Sequence, residues 1–148
     1  MLLRIWRALT VLLLALAMGL AWAHLLEMPQ KMQLEPWLYL VLAPTLYPYF
    51  AYVGGPAEVA AVLCCIVLCV LVRKRRPALV LASIAAICAA AALGVWLARV
   101  SPMNAEMSRW VPSAIPSDWT RVRDQWEHGH ALRALLWSLA LALVTFAE

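Results

Sequence analysis

Four stretches of the chain are apolar over nearly the length that a helix needs to cross a bilayer, which is about 20 residues. They are residues 5–26, 57–72, 77–98 and 130–147. A helix satisfies its backbone hydrogen bonds within one such segment, so these runs are typical of transmembrane helices. The pattern predicts a single all-α domain over residues 1–148, an integral membrane four-helix bundle.

Short breaks between the apolar runs predict the connections. Gly54, Gly55 and Pro56 predict a turn before the second span, because glycine is common in turns and proline suits the first turn of a helix. The sequence "RKRRP", residues 73–77, predicts a tight hairpin between the second and third spans. The four predicted spans therefore run antiparallel.

Basic residues predict the orientation of the bundle. Arg4, Arg7 and the run at residues 73–76 fall on one side if all four segments span. The positive-inside rule makes that side cytoplasmic, with both termini in the cytoplasm, and we expect a multi-pass protein of the bacterial inner (plasma) membrane.

Composition agrees with a membrane protein. The chain is 66% hydrophobic and 14% charged, whereas soluble domains average near half apolar and a quarter charged. The net charge of +4 comes from basic residues that lie beside apolar spans. A lipid bilayer, and no nucleic acid, is therefore the expected partner.

Two segments depart from a plain bundle. Residues 37–55, "WLYLVLAPTLYPYFAYVGG", are apolar but contain Pro44, Pro48 and all four tyrosines, which predicts an interfacial helix or lid across the outer mouth. The fourth helix is predicted to start before its span, with Ser117 as N-cap and Asp118 at the positive end of the helix dipole. At about 45 Å it exceeds the roughly 30 Å of hydrocarbon, so its first turns are predicted to project outward.

The fourth helix carries the sharpest candidate site. Spacings of three and four residues place six aromatic and basic side chains on one stripe of the helix. They are Trp119, Arg123, Trp126, His130, Arg133 and Trp137. An arginine inside a membrane segment normally faces the bundle interior and has a partner there.

Polar residues on the other helices are expected at the same height. His24 and Glu27 share a face of the first helix, Glu58 opens the second, and Arg99 and Asn104 close the third. We predict a pocket at the outer mouth with His24, Glu27, His130 and Arg133 as its catalytic residues. The residues predicted to bind a ligand are Trp119, Trp126, Trp137, Glu58 and Asn104. The alternative is a structural ion pair of Arg133 with Glu27 or Glu58, with the tryptophans forming an interface belt.

Three motifs resemble a known family. The pattern W-x6-W-x3-H-x2-R, here Trp119, Trp126, His130 and Arg133, resembles the signature of small four-helix membrane proteins grouped with the anthrone oxygenases. "VSPMNAEM", residues 100–107, resembles the family's third-helix end. "HLLEMPQKM", residues 24–32, resembles its first-helix exit, in the form found in the bacterial branch.

The resemblance implies a four-helix membrane fold. For the fungal and polyketide-pathway members it also implies oxidation of an anthrone to an anthraquinone by dioxygen, with no cofactor. Such a reaction needs a base, a cation and a dry aromatic slot. His130 or His24 is the candidate base, Arg133 the candidate cation, and the tryptophans are candidate ring-stacking residues.

Two other classes of function stay open at this point. Glu127-x-x-His130 and His24-x-x-Glu27 have the Glu/His spacing of di-iron helices, and the two histidines could ligate a haem, which would make the protein metal- or haem-binding. The third class is non-catalytic: binding of a small aromatic or lipid-like molecule, or an assembly subunit, with the alanine-rich third helix suited to a homo-oligomer.

The first helix also resembles a signal peptide, with Ala21-Trp22-Ala23 as a cleavage site before His24. Its apolar run is long for a signal core, and its removal would leave three spans with an exposed polar stripe. We therefore expect a retained transmembrane helix whose outer end carries His24 and Glu27.

Overall fold

The structure, a computed structural model, describes residues 1–147, apart from the side chain of Ala43. Over this range the chain forms helices and turns and no strand, which confirms the all-α class. The elements are α1 (Leu2–Lys31), α2 (Pro36–Leu46), α3 (Pro48–Val72), α4 (Arg76–Val95), a π-helical turn (Trp96–Val100), α5 (Ser101–Met107) and α6 (Trp119–Phe146).

Four helical segments of the described chain are long and apolar enough to cross a membrane. They are α1, α3, α6 and the continuous segment Arg76–Met107, which joins α4, the π turn and α5. The length and apolar composition of these helices confirm the prediction of a multi-pass membrane protein. Each segment is longer than its predicted span. α3 already begins at Pro48, because proline suits the first turn of a helix, and the third segment continues through the π turn.

Neighbouring long helices run antiparallel, and hydrogen bonds between them fix the register. Arg7 near the start of α1 donates to the carbonyl of Thr145 near the end of α6. The Trp6 indole donates to the Cys64 carbonyl of α3 at 3.0 Å. The helices form a ring in which α1 and α4 each pack between α3 and α6. Both termini and the α3–α4 loop therefore lie at one end of the molecule, where Arg4, Arg7 and Arg75 line a small cavity.

The core of this ring is rich in small residues. Alanines of α4 at spacings of three and four residues are almost completely buried. They are Ala78, Ala82, Ala85, Ala89 and Ala92. Small side chains let helices approach closely in a membrane, and the same core accommodates the fully buried indole of Trp137.

A second cluster packs the end of the molecule opposite the termini. It joins Tyr39 of α2, Val100 of the π turn and Met107 of α5 to Val122 and Trp126 of α6. The early start of the fourth helix is confirmed, but its first turns are covered by α2 and α5 and do not project freely. The N-cap is Asp118 and not Ser117, and the Asp118 carboxylate accepts from Arg121 at 3.1 Å.

The predicted turn at Gly54, Gly55 and Pro56 is wrong, since all three lie inside α3. Gly54 is used for close packing: a Cβ there would lie 3.0 Å from Leu20 Cδ1 of α1. The segment 37–55 is correspondingly divided at Tyr47 between α2 and the first turns of α3.

Gly129 lies at a close approach between α6 and the π turn, and it gives a testable prediction. A Cβ there would lie 2.8 Å from Val100 Cγ2, against a preferred carbon–carbon separation of about 3.5–4.0 Å. Gly129→Ala is expected to destabilise the protein by about 1–3 kcal/mol through overpacking. Thermal unfolding in detergent measures this.

The matched control is Gly94→Ala, at a helical glycine with no described atom within 4 Å of the added Cβ. It is expected to be neutral or slightly stabilising, because alanine is the better helix former. Equal melting temperatures for the two variants would contradict the close approach at Gly129.

Candidate functional site

A cavity of about 970 Å³ lies between α2 and the halves of the long helices that are farther from the termini. Its lining is mainly apolar, and its most buried polar side chains come from three helices. These are His24 of α1, Glu58 of α3, and His130 and Arg133 of α6. All four are about 95% buried. The volume is at the upper end of the roughly 300–1,000 Å³ range of ligand pockets.

Arg133 is held by an ion pair with Glu58, and both residues are buried in the wall of the cavity. The Arg133 Nη1 atom also lies 3.1 Å from His130 Nδ1. Because a guanidinium can only donate, we assign His130 Nδ1 as the acceptor and place the imidazole proton on Nε2. His130 therefore offers an N–H donor.

The two histidines from α1 and α6 lie against each other. Their ring centroids are 4.1 Å apart, and the Trp126 indole lies 4.2 Å from His130. His24 Nδ1 and His130 Nε2 are buried without a hydrogen-bond partner among residues 1–147. Buried polar atoms are normally satisfied, so unpartnered imidazole nitrogens beside a cavity indicate that a polar ligand or an ordered water binds there.

Trp126 is fixed from two sides. Its Nε1 donates to the Asn104 Oδ1 atom of α5 at 2.6 Å, and Lys31 Nζ lies 4.8 Å from the ring centroid. Asn104 and Trp126 both line the cavity. A hydrogen bond and a cation–π contact on one indole hold its face in place as part of the wall.

A buried charge cluster behind Trp126 was missed by sequence reasoning. Lys31 Nζ is 3.1 Å from Glu127 Oε2, and the Tyr39 hydroxyl of α2 donates to Glu127 Oε1 at 2.9 Å. Burial and the neighbouring carboxylate raise the pKa of Tyr39 above its ordinary value, so the phenol stays a donor. One sequence signal for this cluster was available: Lys31 follows His24 by two helical turns, so both side chains lie on the same face of α1.

Glu27 lies apart from Arg133. Its carboxylate accepts from the Tyr47 hydroxyl at 2.6 Å and lies 3.6 Å from Lys31, and its side chain is 43% exposed. Burial raises the pKa of Tyr47, which keeps this phenol protonated as well. Tyr47 was also missed: its ring packs on His24 with centroids 4.6 Å apart. Glu27 and Glu58 were the two predicted ion-pair partners of Arg133, and in the structure Arg133 pairs with Glu58.

The remaining predicted residues lie elsewhere. Trp137 is fully buried in the bundle core and does not line the cavity. Trp119 packs between Tyr39 and the Arg123 guanidinium outside the cavity. Arg99 is exposed. The stripe of α6 is continuous, but only its middle part, Trp126 to Arg133, faces the cavity.

Metal and haem binding find little support in this geometry. Within residues 1–147, no three His, Cys, Asp or Glu side chains come together as metal ligands do. A metal ion lies about 2 Å from each imidazole nitrogen that binds it. The 4.1 Å separation of the His24 and His130 rings leaves no space for a haem plane between them.

No family model, curated protein sequence or solved structure matches the chain.

Proposed function

We propose that this protein is a membrane-bound, cofactor-independent oxygenase for an anthrone-like or quinol-like aromatic molecule. The observation that carries the proposal is the pair of unpartnered imidazole nitrogens of His24 and His130, beside Arg133, at the wall of an apolar cavity. The resemblance of the helix motifs to anthrone oxygenases agrees with this chemistry.

The tautomer of His130 determines which of the two histidines is the hydrogen-bond donor and which is the base. His130 Nε2–H is a donor, and with Arg133 it is placed to stabilise an oxyanion on the substrate. His24 Nδ1 has no hydrogen-bond partner among the described residues and no donor that would hold it, so we assign it as the base. Trp126 and Phe50, which also line the cavity, provide aromatic surfaces for the rings of the substrate.

The reaction balances without a cofactor. His24 removes a proton from the acidic CH2 of an anthrone, and the resulting anion transfers one electron to dioxygen. Combination of the two radicals forms a C–O bond, and the peroxide accepts the proton. Loss of water breaks the O–O bond and leaves a ketone, so anthrone and O2 give anthraquinone and H2O. A hydroquinone would give a quinone and H2O2.

An oxygen electrode tests the proposal directly. Protein in lipid nanodiscs is supplied with a hydroxyanthrone or a naphthohydroquinone, and quinone formation is followed by absorbance. We expect oxygen uptake well above the autoxidation seen with empty nanodiscs, and full activity in Leu132→Ala, an exposed α6 position outside the cavity lining. Uptake equal to that of empty nanodiscs across a substrate panel would contradict the proposal.

One observation favours a second candidate, binding without chemistry. The Arg133 charge is already balanced by Glu58, which suits a neutral polar headgroup as well as an anion. In that case a small aromatic or lipid-like molecule would bind with the same histidine dependence, and no oxygen would be consumed.

The proposed orientation places both termini and the α3–α4 loop in the cytoplasm of a bacterium, since Arg4, Arg7 and Arg75 lie at that end. The chain has two lysines, buried Lys31 and exposed Lys74. A membrane-impermeant amine reagent is expected to leave the protein unlabelled in spheroplasts and to label it after permeabilisation. Ser113→Lys, at an exposed site of the opposite end, is expected to be labelled without permeabilisation. Labelling of Lys74 in intact spheroplasts would contradict this orientation.

A further inference from the structure

The cavity reaches the side of the protein as well as its outer end. Ala51, Gly55 and Val59 follow one another at four-residue intervals, so they form one stripe of α3. All three are exposed and line the cavity. Val59 is 47% exposed although it lies beside the buried Glu58.

The opposite wall comes from the segment Arg76–Met107. Leu93, Trp96 and Leu97 line the cavity there, and Leu97 is 60% exposed. The π turn and α5 pack against α6, and the cavity occupies the space between this segment and the α3 stripe. Both walls belong to helices of membrane-spanning length. We call the gap bounded by Ala51, Gly55, Val59 and Leu97 the lateral opening.

Polarity changes along the cavity. The titratable groups His24, Glu58, His130 and Arg133 are at its buried wall, whereas the lateral opening is bounded by apolar side chains and glycine. A rigid three-ring molecule is small for a cavity of about 970 Å³, because drug-sized ligands fill pockets of this range. The part of the cavity that the rings would leave empty has an apolar lining and therefore suits a hydrocarbon chain. Water-soluble aromatic ligands carry no such chain.

We infer that the ligand is a tailed lipid-soluble aromatic, a quinol or phenol that carries a long alkyl or isoprenoid chain, and that it enters from the bilayer through the lateral opening. The inference rests on the proposed function for its ring chemistry. The ring lies at the histidines, and the tail passes between Val59 and Leu97 into the lipid. Burial of each CH2 of the tail in lipid is favourable relative to water, so the bilayer concentrates the substrate where the opening lies.

The test uses a naphthoquinone with a dodecyl tail and a photoreactive diazirine on the part of the tail nearest the ring, which passes through the lateral opening. Wild-type protein in nanodiscs is irradiated with this probe, and labelled peptides are mapped by mass spectrometry. Labelling is expected on the peptides that contain Val59 and Leu97. Val59→Trp, which fills the opening, is expected to reduce it at least tenfold. Leu63→Trp, one turn further along the exposed surface of α3 and outside the cavity lining, is expected to leave it unchanged.

Labelling that Val59→Trp does not reduce, or that maps to residues 108–112 at the outer mouth, would overturn the inference. The probe is already oxidised, so its binding is independent of turnover. Labelling that depends on Val59, combined with no oxygen uptake, would defeat the oxygenase proposal alone. Oxidation of a hydroquinone without a tail, combined with labelling that is insensitive to Val59→Trp, would defeat the lateral opening alone.

Discussion

Glu58→Ala is expected to destabilise the protein by about 3–5 kcal/mol, the usual cost of breaking a buried ion pair by removing one partner. Arg133 would be left as an uncompensated cation in the wall of the cavity, 3% exposed and in the middle of a spanning helix. Its only other side-chain hydrogen bond among residues 1–147 is with His130, which is the acceptor. A single arginine at such a depth is costly even when it can reach toward the interface.

Unfolding in detergent at increasing SDS fraction measures the loss. The double variant Glu58→Leu/Arg133→Leu is expected to recover most of it, because replacement of a whole buried pair by apolar residues is often neutral. It would also lose ligand binding, which separates the structural role of the pair from its role in the site.

Glu106→Ala provides the matched control. Glu106 pairs with Arg121 at 2.6 Å, but the two side chains are 34% and 50% exposed. Exposed pairs contribute little to stability, so this variant is expected to unfold close to wild type. If Glu58→Ala were as stable as Glu106→Ala, another group would have to compensate the buried charge of Arg133.

The ion pair also shows where sequence reasoning reaches its limit. Periodicity placed Arg133 on the inner face of the fourth helix and left Glu27 and Glu58 as partners. The choice between them depends on how far each helix is rotated about its axis, which hydrophobic spacing does not determine to within one residue. Glu27 is turned toward Tyr47 and the exterior, and Glu58 toward Arg133.

Contacts from outside the spanning segments were harder to predict. Tyrosines near prolines are typical of the membrane interface, and Tyr49 and Tyr52 are indeed highly exposed. Tyr39 is instead buried on Glu127, since α2 packs onto the first turns of α6. Trp137 does not line the cavity for a similar reason: the helix stripe continues, but at Trp137 the cavity has ended and α6 packs on the alanines of α4.

The His24→Gln variant is expected to lower the rate of substrate oxidation by about 10²–10⁴-fold, the typical contribution of a positioned general base. The neutral amide of glutamine is similar to imidazole in size and polarity, but it does not accept a proton near neutral pH. Because His24 lies against Tyr47, Trp126 and His130, the replacement keeps a polar group in the same aromatic surroundings. The measurement is kcat for oxygen uptake, together with binding of the tailed naphthoquinone to show that the site is intact.

Two further histidine variants make this result specific. His128→Gln is the matched control, since His128 is exposed on α6 and does not line the cavity; its activity is expected to equal that of wild type. His130→Gln retains an N–H donor and is expected to lose less activity than His130→Leu, which has none. If His24→Gln stays fully active while His130→Gln is inactive, the assigned tautomer is wrong and His130 is the base, because only a proton acceptor distinguishes histidine from glutamine at that position.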